Sequence, residues 1–503
     1  MLSKVKGIFL LDDHEKKFIH DVSSEYFENS GRNKLREKIV LIQIPSDYYY
    51  VSLFSILGNE IADQYQASLK GLWPYNVDMI ASDRDRSFIK SIKRSLISWL
   101  QFKKWSRLYL SAGIHHNIRL QGVSIFVSIK NYLESAKISK KLKSKEDLMS
   151  LSLNGTDCGD LIYDTYLRYR VRPTVDLQDW YVRYLIWQAL NAQHKIRNLI
   201  NQQNIAAFIS SYSSYIQHGI PVREFLQKNI AVYTSGNYQQ TVKKLSLIDS
   251  RHTANYPDYA VIFQGLKNKT NLLKQAEMEL DKRFSGGKDK GTLYMKNSAY
   301  SRSNKKEQID FDGVLFLHDF FDSPHVYRWM LFHDFWEWLI FTLEVITKEK
   351  LNIAIKPHPN QISESSILLD EIKKKYPDSK WISQNINNKM LMNSGIKCGI
   401  SVYGTVLHEL AYHGVPAIAA GDHPHVSFDI AYTPNTKDEY RKLLISYRKL
   451  KVKKNVKQEV MKFYYMHNMH NQDAFESKAK LLNLRNLNAN ESGSLIEFLS
   501  RVK

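Results

Sequence analysis

A chain of 503 residues is too long for one ordinary hydrophobic core, and its length predicts two large domains. The composition, 43% hydrophobic and 24% charged, excludes a disordered or fibrous protein and is typical of a folded globular one. The formal net charge of +20 attracts anions such as nucleotides, phosphorylated lipids or acidic glycans, although a lysine-rich composition without a dedicated anion-binding surface has the same sign.

The first apolar stretch, residues 7–11, is cut short by Asp12 and Asp13 and is too short for a signal peptide. No run reaches the ~18 apolar residues of a membrane span. We therefore expect a cytoplasmic protein that would meet a membrane peripherally, at the inner face of the cytoplasmic membrane.

Short apolar runs alternate with helical segments in the first half of the chain. A helical segment such as 51–72 has apolar residues at helical spacing. The runs are near-continuously apolar, as strands buried on both faces are, and they lie at residues 5–11, 38–45, 76–82, 107–113, 205–211 and 230–236. Repeated strand and helix predict a parallel sheet wrapped by helices, and we assign residues 1–265 to a Rossmann-like domain on the acceptor side.

The pattern stops at residues 266–308, which are polar and glycine-bearing and are predicted to form a linker with helical pieces. It resumes in 309–435, where the apolar runs 313–319, 351–357, 397–403 and 416–422 predict a second Rossmann-like domain. Residues 436–503 are expected to be a basic helical extension. The predicted fold class is α/β, with two doubly wound parallel-sheet domains facing a cleft, and ligands of such sheets bind beyond the carboxyl ends of the strands.

Lys356 and His358 directly follow the predicted strand of 351–355 in a Lys-Pro-His-Pro sequence. Pro357 and Pro359 lack a backbone donor and fix φ at about −65°, so they end the strand and stiffen the loop. The loop therefore offers two candidate donors to a phosphate. A strand-ending turn with a surface lysine and histidine is the alternative.

The segment 399–424 continues the same domain. Its predicted strand ends at Ser401, and Gly404 and Thr405 open a helix whose unpaired amides form an anion site. Glu409 lies one turn further on the same face, where its carboxylate could accept hydrogen bonds from a ribose diol. With the Lys-Pro-His-Pro loop, this predicts a nucleotide site. The alternative is a generic βαβ unit in which Glu409 is solvated.

These motifs resemble a known family. IKPHP, followed at 401–418 by S-x-x-G-T-x-x-x-E-L-A-Y-H-G-x-P-A-I, resembles the carboxyl-terminal domain of bacterial capsule and surface-polysaccharide glycosyltransferases of GT-B fold, including the Kdo-transferase-like capsule synthesis family. GDLIYDTYLRYR (159–170) and YIQHGIPVREFLQKNIAVY (215–233) are similar to amino-terminal segments of the same family. The resemblance implies that His358 contacts the donor phosphate and takes part in catalysis, that Glu409 holds the donor ribose, and that no metal is needed.

The resemblance also implies a function. It is the transfer of a sugar from a CMP- or UDP-linked donor, with no further cofactor, to a growing or lipid-linked glycan of a capsule or lipopolysaccharide. A nucleotide-sugar 2-epimerase of the same fold and a non-catalytic polysaccharide-assembly protein are the alternatives. A nucleic-acid partner is not expected, because the basic residues form no recognisable RNA- or DNA-binding motif.

Asp164 is the candidate general base, because an inverting transferase must take a proton from the acceptor hydroxyl. Arg168 is predicted on the same helix face, and an Asp164–Arg168 ion pair with no catalytic part is the alternative. Tyr215 and Arg223 are expected with Arg168 on the acceptor side.

The family pattern is not met everywhere. Ser211 and Ser213 stand where the resemblance leads us to expect a histidine ahead of Tyr215. Further candidates are His218 and the Asp-Asp-His sequence at 12–14, each of which is also explained as a polar loop residue.

Metal binding is not predicted. The His-rich sequences at 115–116 and 423–425 lack the spacing of a metal site, and the two cysteines, Cys158 and Cys398, are far apart in sequence. The segment 441–463 carries nine lysines and arginines among apolar residues, and we expect a basic helix that can rest on an anionic membrane. A solvated lysine face is the alternative.

Overall fold

The computed structural model describes residues 36–44, 48–73, 104–111, 113–114, 116–119, 122–235, 242–291, 300, 309–359 and 361–470, with isolated positions between 11 and 19. The chain divides into two compact units. The first holds the described residues up to Val171 and Val175–His252. The second holds Arg172–Thr174 and the described residues from Thr253 to His470.

The first unit is built on a six-stranded sheet in the order β3-β2-β1-β6-β7-β8, parallel except for β8, with a separate β4-β5 hairpin. The strands are β1 (Ile39–Gln43), β2 (Ser68–Trp73), β3 (His116–Arg119), β4 (Ser152–Leu153), β5 (Thr156–Asp157), β6 (Ile205–Ser210), β7 (Ala231–Thr234) and β8 (Lys243–Lys244). Every residue of β1 is buried, as expected for a central parallel strand covered on both faces.

Helices cover this sheet, and a π-helical turn at Leu167–Val171 follows the fourth of them. They are α1 (Tyr48–Gln64), α2 (Ile125–Lys141), α3 (Lys145–Met149), α4 (Gly159–Tyr166), α5 (Trp180–Gln202) and α6 (Tyr215–Gln227). The start of α5 is set by Asp179, whose side chain accepts the Tyr181 backbone N–H at 3.0 Å.

Two predictions in this half were wrong. Residues 107–113 were predicted as a strand, but 104–111 are helical, and the buried Trp105, Leu108 and Tyr109 have the i, i+3, i+4 spacing of a helix face. The helical segment 51–72 ends early, and its last residues form β2, which pairs with β1 and β3. The predicted strands at 5–11 and 76–82 lie outside the described residues, apart from Leu11.

The second unit has a fully parallel five-stranded sheet in the order β11-β10-β9-β12-β13. The strands are β9 (Gly313–Phe316), β10 (Ile353–Lys356), β11 (Lys380–Trp381), β12 (Cys398–Ser401) and β13 (Ala417–Ala419). From β9 the chain adds β10 and β11 on one side and then β12 and β13 on the other. The winding direction therefore reverses between β9 and β12, which makes their carboxyl ends the topological switch point.

Helices pack on the second sheet, and one of them lies within the predicted linker 266–308. They are α7 (Tyr259–Gly265), α8 (Lys269–Phe284), α9 (Phe335–Lys348), α10 (Ser363–Lys375), α11 (Asn388–Asn393), α12 (Val406–Tyr412), α13 (Lys437–Ile445) and α14 (Val456–Asn468). Residues of α8, among them Leu280 and Phe284, are buried in the core of the second unit. The two sheets and their helices confirm the predicted α/β class.

The basic segment 441–463 is not one continuous helix, contrary to expectation. It divides into the end of α13, a 3-10 turn at Tyr447–Lys449 and the start of α14. Asn455 precedes α14 with φ of 59°, a left-handed conformation that asparagine tolerates better than most residues and that interrupts the helix. Within the described ranges, none of the helices has the length and apolarity needed to cross a membrane.

Candidate functional site

The switch point of the second unit gathers residues from three strand ends. His318 follows β9, His358 follows β10, and Ser401 ends β12 just before Gly404 and Thr405. Because the strands are parallel, these ends lie at one edge of the sheet, where doubly wound sheets bind their ligands.

Ser401 links β12 to β9. Its hydroxyl donates to the Phe316 carbonyl at 3.0 Å and lies 3.1 Å from His318 Nε2. The Tyr403 backbone N–H also reaches His318 Nε2, at 3.4 Å. A backbone N–H can only donate, so Nε2 accepts and the ring proton is on Nδ1. Burial, together with the neighbouring His358, lowers the pKa of His318 to about 3, so its ring is neutral.

Aromatic packing fixes the His318 ring. It stacks on Phe335 with ring centroids 4.6 Å apart and contacts Tyr403 at 5.1 Å. The Tyr403 hydroxyl donates to the Pro324 carbonyl at 2.7 Å. These contacts make a rigid wall at the switch point. Sequence reasoning missed His318, although its position directly after an apolar strand, like that of His358, was a usable signal.

The half-buried His358 lies beside the loop after β9. In that loop Asp319 accepts the Ile362 backbone N–H at 2.9 Å and the Ser365 hydroxyl at 3.1 Å, which ties the loop to the start of α10. Burial lowers the pKa of His358, while the Asp319 carboxylate opposes that shift.

Lys356 points into the core. Its ammonium donates to the Ile386 carbonyl at 2.7 Å and to Asn388 Oδ1 at 2.5 Å, and burial lowers its pKa to about 8. Two of its three donors are therefore used by the protein. The predicted phosphate contact would have to use the remaining N–H, and that role stays a prediction.

Glu409 is likewise buried and bound by protein groups. Tyr300 donates its hydroxyl to Oε2 at 2.6 Å, and Arg283 Nε lies 3.2 Å from Oε1. Arg283 also lies 3.9 Å from Asp289, which accepts the Tyr464 hydroxyl. Hydrogen bonds and ion pairs therefore connect Tyr300, Glu409, Arg283, Asp289 and Tyr464 in the core of the second unit. Sequence reasoning missed Arg283 and Tyr300, because both fall in the segment predicted as a linker.

Gly404 is half-buried and Thr405 is exposed in front of α12. The Thr405 side chain makes no capping hydrogen bond to the helix. Close packing of α12 on β12 sets this position, since a Cβ at Gly399 would lie 2.1 Å from the Leu410 side chain. Whether Gly404 and Thr405 bind a donor stays a prediction.

The acceptor-side candidates lie around α4 and α6 of the first unit. Asp164 is buried in α4, while Arg168 belongs to the π-helical turn that follows. The pair therefore spans the change from α to π geometry instead of one regular helix face. Arg223 forms a bidentate ion pair with Asp160, both contacts being 2.6 Å, so its guanidinium is held between α6 and α4.

Tyr215 begins α6 with φ of 61°, a strained value for a residue with a side chain. Its ring contacts Tyr169 of the π-helical turn at 6.1 Å. The Ile216 backbone N–H donates to Thr165 of α4 at 3.0 Å. These contacts bring the two segments of the resemblance, 159–170 and 215–233, together, and their acceptor-side roles stay predictions.

The first sheet has its own switch point, between β1 and β6, where Gln43 orients His218. The Ser211 backbone N–H donates to Gln43 Oε1 at 2.6 Å, so the Gln43 amide N–H donates to His218 Nδ1 at 3.1 Å. The Ser213 backbone N–H donates to His252 Nδ1 at 3.3 Å. Both rings therefore carry their proton on Nε2.

Burial lowers the pKa of His218 to about 3 and that of His252 to about 4. Two neutral histidines thus lie at this switch point. Ser211 and Ser213, the departures from the family pattern, help to position them. His252 was missed, because nothing in its local sequence marks it.

The described residues contain no group of three or more His, Cys, Asp or Glu side chains placed to hold a metal. His423 and His425 lie with ring centroids 3.8 Å apart in the core of the second unit. Asp12, His14, the side chains of 115–116 and the Asp-Arg-Asp sequence at 83–85 lie outside the described residues.

No protein-family model and no curated protein matches the sequence. Solved structures to which the chain is similar include the β-Kdo 2,4-transferase KpsC of Thermosulfurimonas dismutans, at 12% identity over 52% of this chain and 79% of that one, with a TM-score of 0.29. Another is UDP-GlcNAc 2-epimerase of Methanocaldococcus jannaschii in complex with UDP-GlcNAc and UDP, at 12% identity over 84% and 97%, with a TM-score of 0.23. A third is the wall teichoic acid polymerase TagF, at 10% identity over 91% and 94%, with a TM-score of 0.19.

Proposed function

We propose that this chain is a glycosyltransferase of GT-B type that moves a sugar from a CMP- or UDP-linked donor to a growing or lipid-linked bacterial surface polysaccharide. One observation carries the proposal. The two halves of the sequence motif, the Lys-Pro-His-Pro loop and Gly404-Thr405, follow β10 and β12, the two strands that flank β9, so both lie at the carboxyl edge of the sheet where doubly wound sheets bind nucleotides.

The donor phosphates would lie at His358. This half-buried ring stands on a loop whose ends are fixed by proline and by the Asp319 contacts to α10. Lys356 would add positive charge from beneath the loop, because a pKa of about 8 keeps most of the ammonium protonated at neutral pH.

The Glu409 carboxylate would hold the ribose while Arg283 and Tyr300 fix its orientation. Each carboxylate oxygen has two lone pairs, so an oxygen that accepts one bond from the protein can accept a second from a ribose hydroxyl.

The chemical step would use Asp164 as the base that deprotonates the acceptor hydroxyl. No metal is required in this proposal, since the Lys356 ammonium offsets part of the donor phosphate charge and the His358 ring donates a hydrogen bond to a phosphate oxygen. The acceptor would be a glycan of a capsule or lipopolysaccharide, either free or linked to lipid.

Donor binding is the first test. Thermal shift and calorimetry with CMP, UDP, GDP and their sugars should single out one nucleotide, because a ligand that binds only the folded state raises its stability. A hydrogen bond to a charged group contributes about 1.5–3 kcal/mol, so His358→Ala should weaken donor binding roughly tenfold or more. His333→Ala is the matched control, because His333 pairs with Glu337 at 2.9 Å. The proposal is refuted if no nucleotide binds, or if the wild type, His358→Ala and His333→Ala bind the donor with equal affinity.

Incubation of the nucleotide sugar alone separates transfer from epimerisation. A transferase leaves the configuration at C2 of the sugar unchanged and consumes the donor rapidly only when a glycan acceptor is added. Appearance of the 2-epimer without acceptor would identify an epimerase instead.

A further inference from the structure

Helix α2 of the first unit turns large apolar side chains outward. Ile125, Phe126, Ile129 and Leu133 are 69%, 82%, 53% and 57% exposed. Residues 125, 129 and 133 follow one another at i+4 spacing and Phe126 lies beside them, so together they form one continuous apolar stripe. Single exposed apolar residues are common on protein surfaces, whereas a continuous stripe on one helix marks an interaction surface.

The opposite face of α2 is the one that holds the helix on the protein. Asn131 donates to Asn191 of α5 at 2.9 Å, and Trp187 of α5 donates to the Ser128 carbonyl at 3.0 Å. Ser135 is buried, and its hydroxyl bonds the Tyr132 carbonyl within α2 at 2.7 Å. The helix thus packs through small and polar residues together with Ile138, while its larger apolar stripe faces solvent, unlike that of an ordinary amphipathic helix.

Exposed lysines line one side of the apolar stripe. Lys130, Lys137 and Lys141 are separated by seven and four residues and so lie along one edge of the helix, and Lys140 is exposed in its last turn. Glu134, the acidic residue of α2, lies 3.8 Å from Lys137. The surface around the apolar stripe is therefore positively charged.

Aromatic rings extend this surface onto α5. Trp180, at the start of α5, is 61% exposed. The Tyr184 ring contacts both Trp180 and Trp187, with ring centroids 6.0 Å apart in each pair. The Trp187 ring in turn contacts Tyr132 of α2, with centroids 5.6 Å apart. Tryptophan and tyrosine are enriched where proteins meet the boundary between lipid and water.

We propose that α2 is a membrane-docking helix, which lies in the head-group region of an anionic bilayer with Phe126, Ile129 and Leu133 toward the acyl chains. An apolar face with a lysine-rich edge is the composition of interfacial helices. The lysines are complementary to anionic lipid, and the +20 charge of the chain opposes contact with a second copy of itself.

The basic segment 441–463 lacks a comparable surface. Val456, Val460 and Phe463 are buried in the core of the second unit, and the exposed apolar residues Ile445 and Val452 lie in different elements and form no continuous stripe. Lysines without an exposed apolar stripe bind lipid through charge alone, which is weak and sensitive to salt. The membrane contact therefore belongs to α2 and is independent of the sugar-transfer activity.

Co-sedimentation of the full-length protein with vesicles tests this inference without nucleotide sugar. We expect binding to phosphatidylglycerol–phosphatidylcholine vesicles and much weaker binding to phosphatidylcholine alone. Phe126→Glu/Ile129→Glu should lower the fraction bound at least about tenfold, because it places charge in the acyl region. Lys130→Glu/Lys137→Glu should also weaken binding, and thermal melting checks that each variant is folded.

Two matched controls use the same chain. Ile248→Glu alters a side chain that is 92% exposed in the first unit, and it should bind like the wild type. Lys449→Glu/Lys451→Glu alters the basic segment instead of α2 and should also retain most binding. The proposal is overturned if the wild type does not bind anionic vesicles, or if only the Lys449→Glu/Lys451→Glu variant loses binding. It is also overturned if light scattering shows a dimer that Phe126→Glu separates and no vesicle binding is found.

Discussion

Arg283 lies 3.2 Å from Glu409, and both side chains are buried in the core of the second unit. The carboxylate that the sequence predicts at the donor ribose is therefore also part of a buried ion pair. A charge left behind by removal of its partner in the interior is costly, whereas replacement of both partners by apolar residues is often neutral. Stability and nucleotide binding can accordingly be separated by mutation.

Glu409→Leu should lower the free energy of unfolding by about 3–5 kcal/mol, because it removes the nearer of the two carboxylates beside the buried Arg283 and leaves the Tyr300 hydroxyl without its acceptor. Arg283→Met/Glu409→Leu should recover part of that loss, since Asp289 keeps the Tyr464 hydroxyl as a donor. Urea denaturation measures both. If Glu409 also holds the ribose, the double variant regains stability but not nucleotide affinity. Recovery of both properties would show that Glu409 has a structural role only.

Asp164→Asn should lower turnover about 10²–10⁴-fold while donor affinity stays unchanged, because loss of a general base removes proton transfer and leaves ground-state contacts intact. Asp157→Asn, which changes an exposed side chain of β5, is the control. If Asp164 instead pairs with Arg168, the single variant loses mainly stability, and Asp164→Asn/Arg168→Gln recovers part of it. Near-normal turnover in Asp164→Asn would remove this residue from the mechanism.

The second unit should lose stability on mild acidification. His408, His423, His425 and His467 are buried near one another, and burial holds the pKa of His423 at about 3 and that of His467 at about 4. These values lie below the ~6.5 of an unfolded histidine, so the unfolded chain binds protons first. The stabilisation is complete above about pH 6.5 and is lost as pH falls toward the folded values.

The variant His425→Leu tests whether these buried histidines cause the loss of stability at acid pH. Both ring nitrogens of His425 are buried without a hydrogen-bond partner, and its surroundings hold the other three histidines and Arg283. Replacement by leucine should leave the melting temperature at pH 7.5 unchanged or higher and reduce its fall between pH 7.5 and 5.5. The partly exposed His194, whose ring bonds Asn198 at 3.1 Å, should not affect this fall when changed to leucine. An equal fall in wild type and His425→Leu would contradict the interpretation.

Transfer activity should survive extensive dialysis against EDTA, because the proposed site binds the donor phosphates through the Lys356 ammonium and a hydrogen bond from the His358 ring. The measurement is the initial rate with and without added magnesium or manganese. A rate abolished by EDTA and restored by either metal would show that the phosphates need a cation that these side chains do not replace.

The sequence by itself determined most strands of the second unit. Each of its four predicted apolar runs contains an observed strand, namely β9, β10, β12 or β13, because a central parallel strand is buried on both faces and must be continuously apolar. The ends of those runs also placed His358 and Thr405 beside the switch point. The same rule failed at 107–113, because a short apolar run is equally compatible with a buried helix face, which Trp105, Leu108 and Tyr109 form.

Only the tertiary structure decided what the candidate side chains bind. Periodicity shows which face of an element is buried, but not which distant residue packs against it. The ammonium of Lys356 is held by Ile386 and Asn388, and the carboxylate of Glu409 by Arg283 and Tyr300, more than a hundred positions earlier in the chain. In the interior an unpaired charged group is costly, and close packing of α8, α12 and the sheet determines which partner is within reach of Glu409.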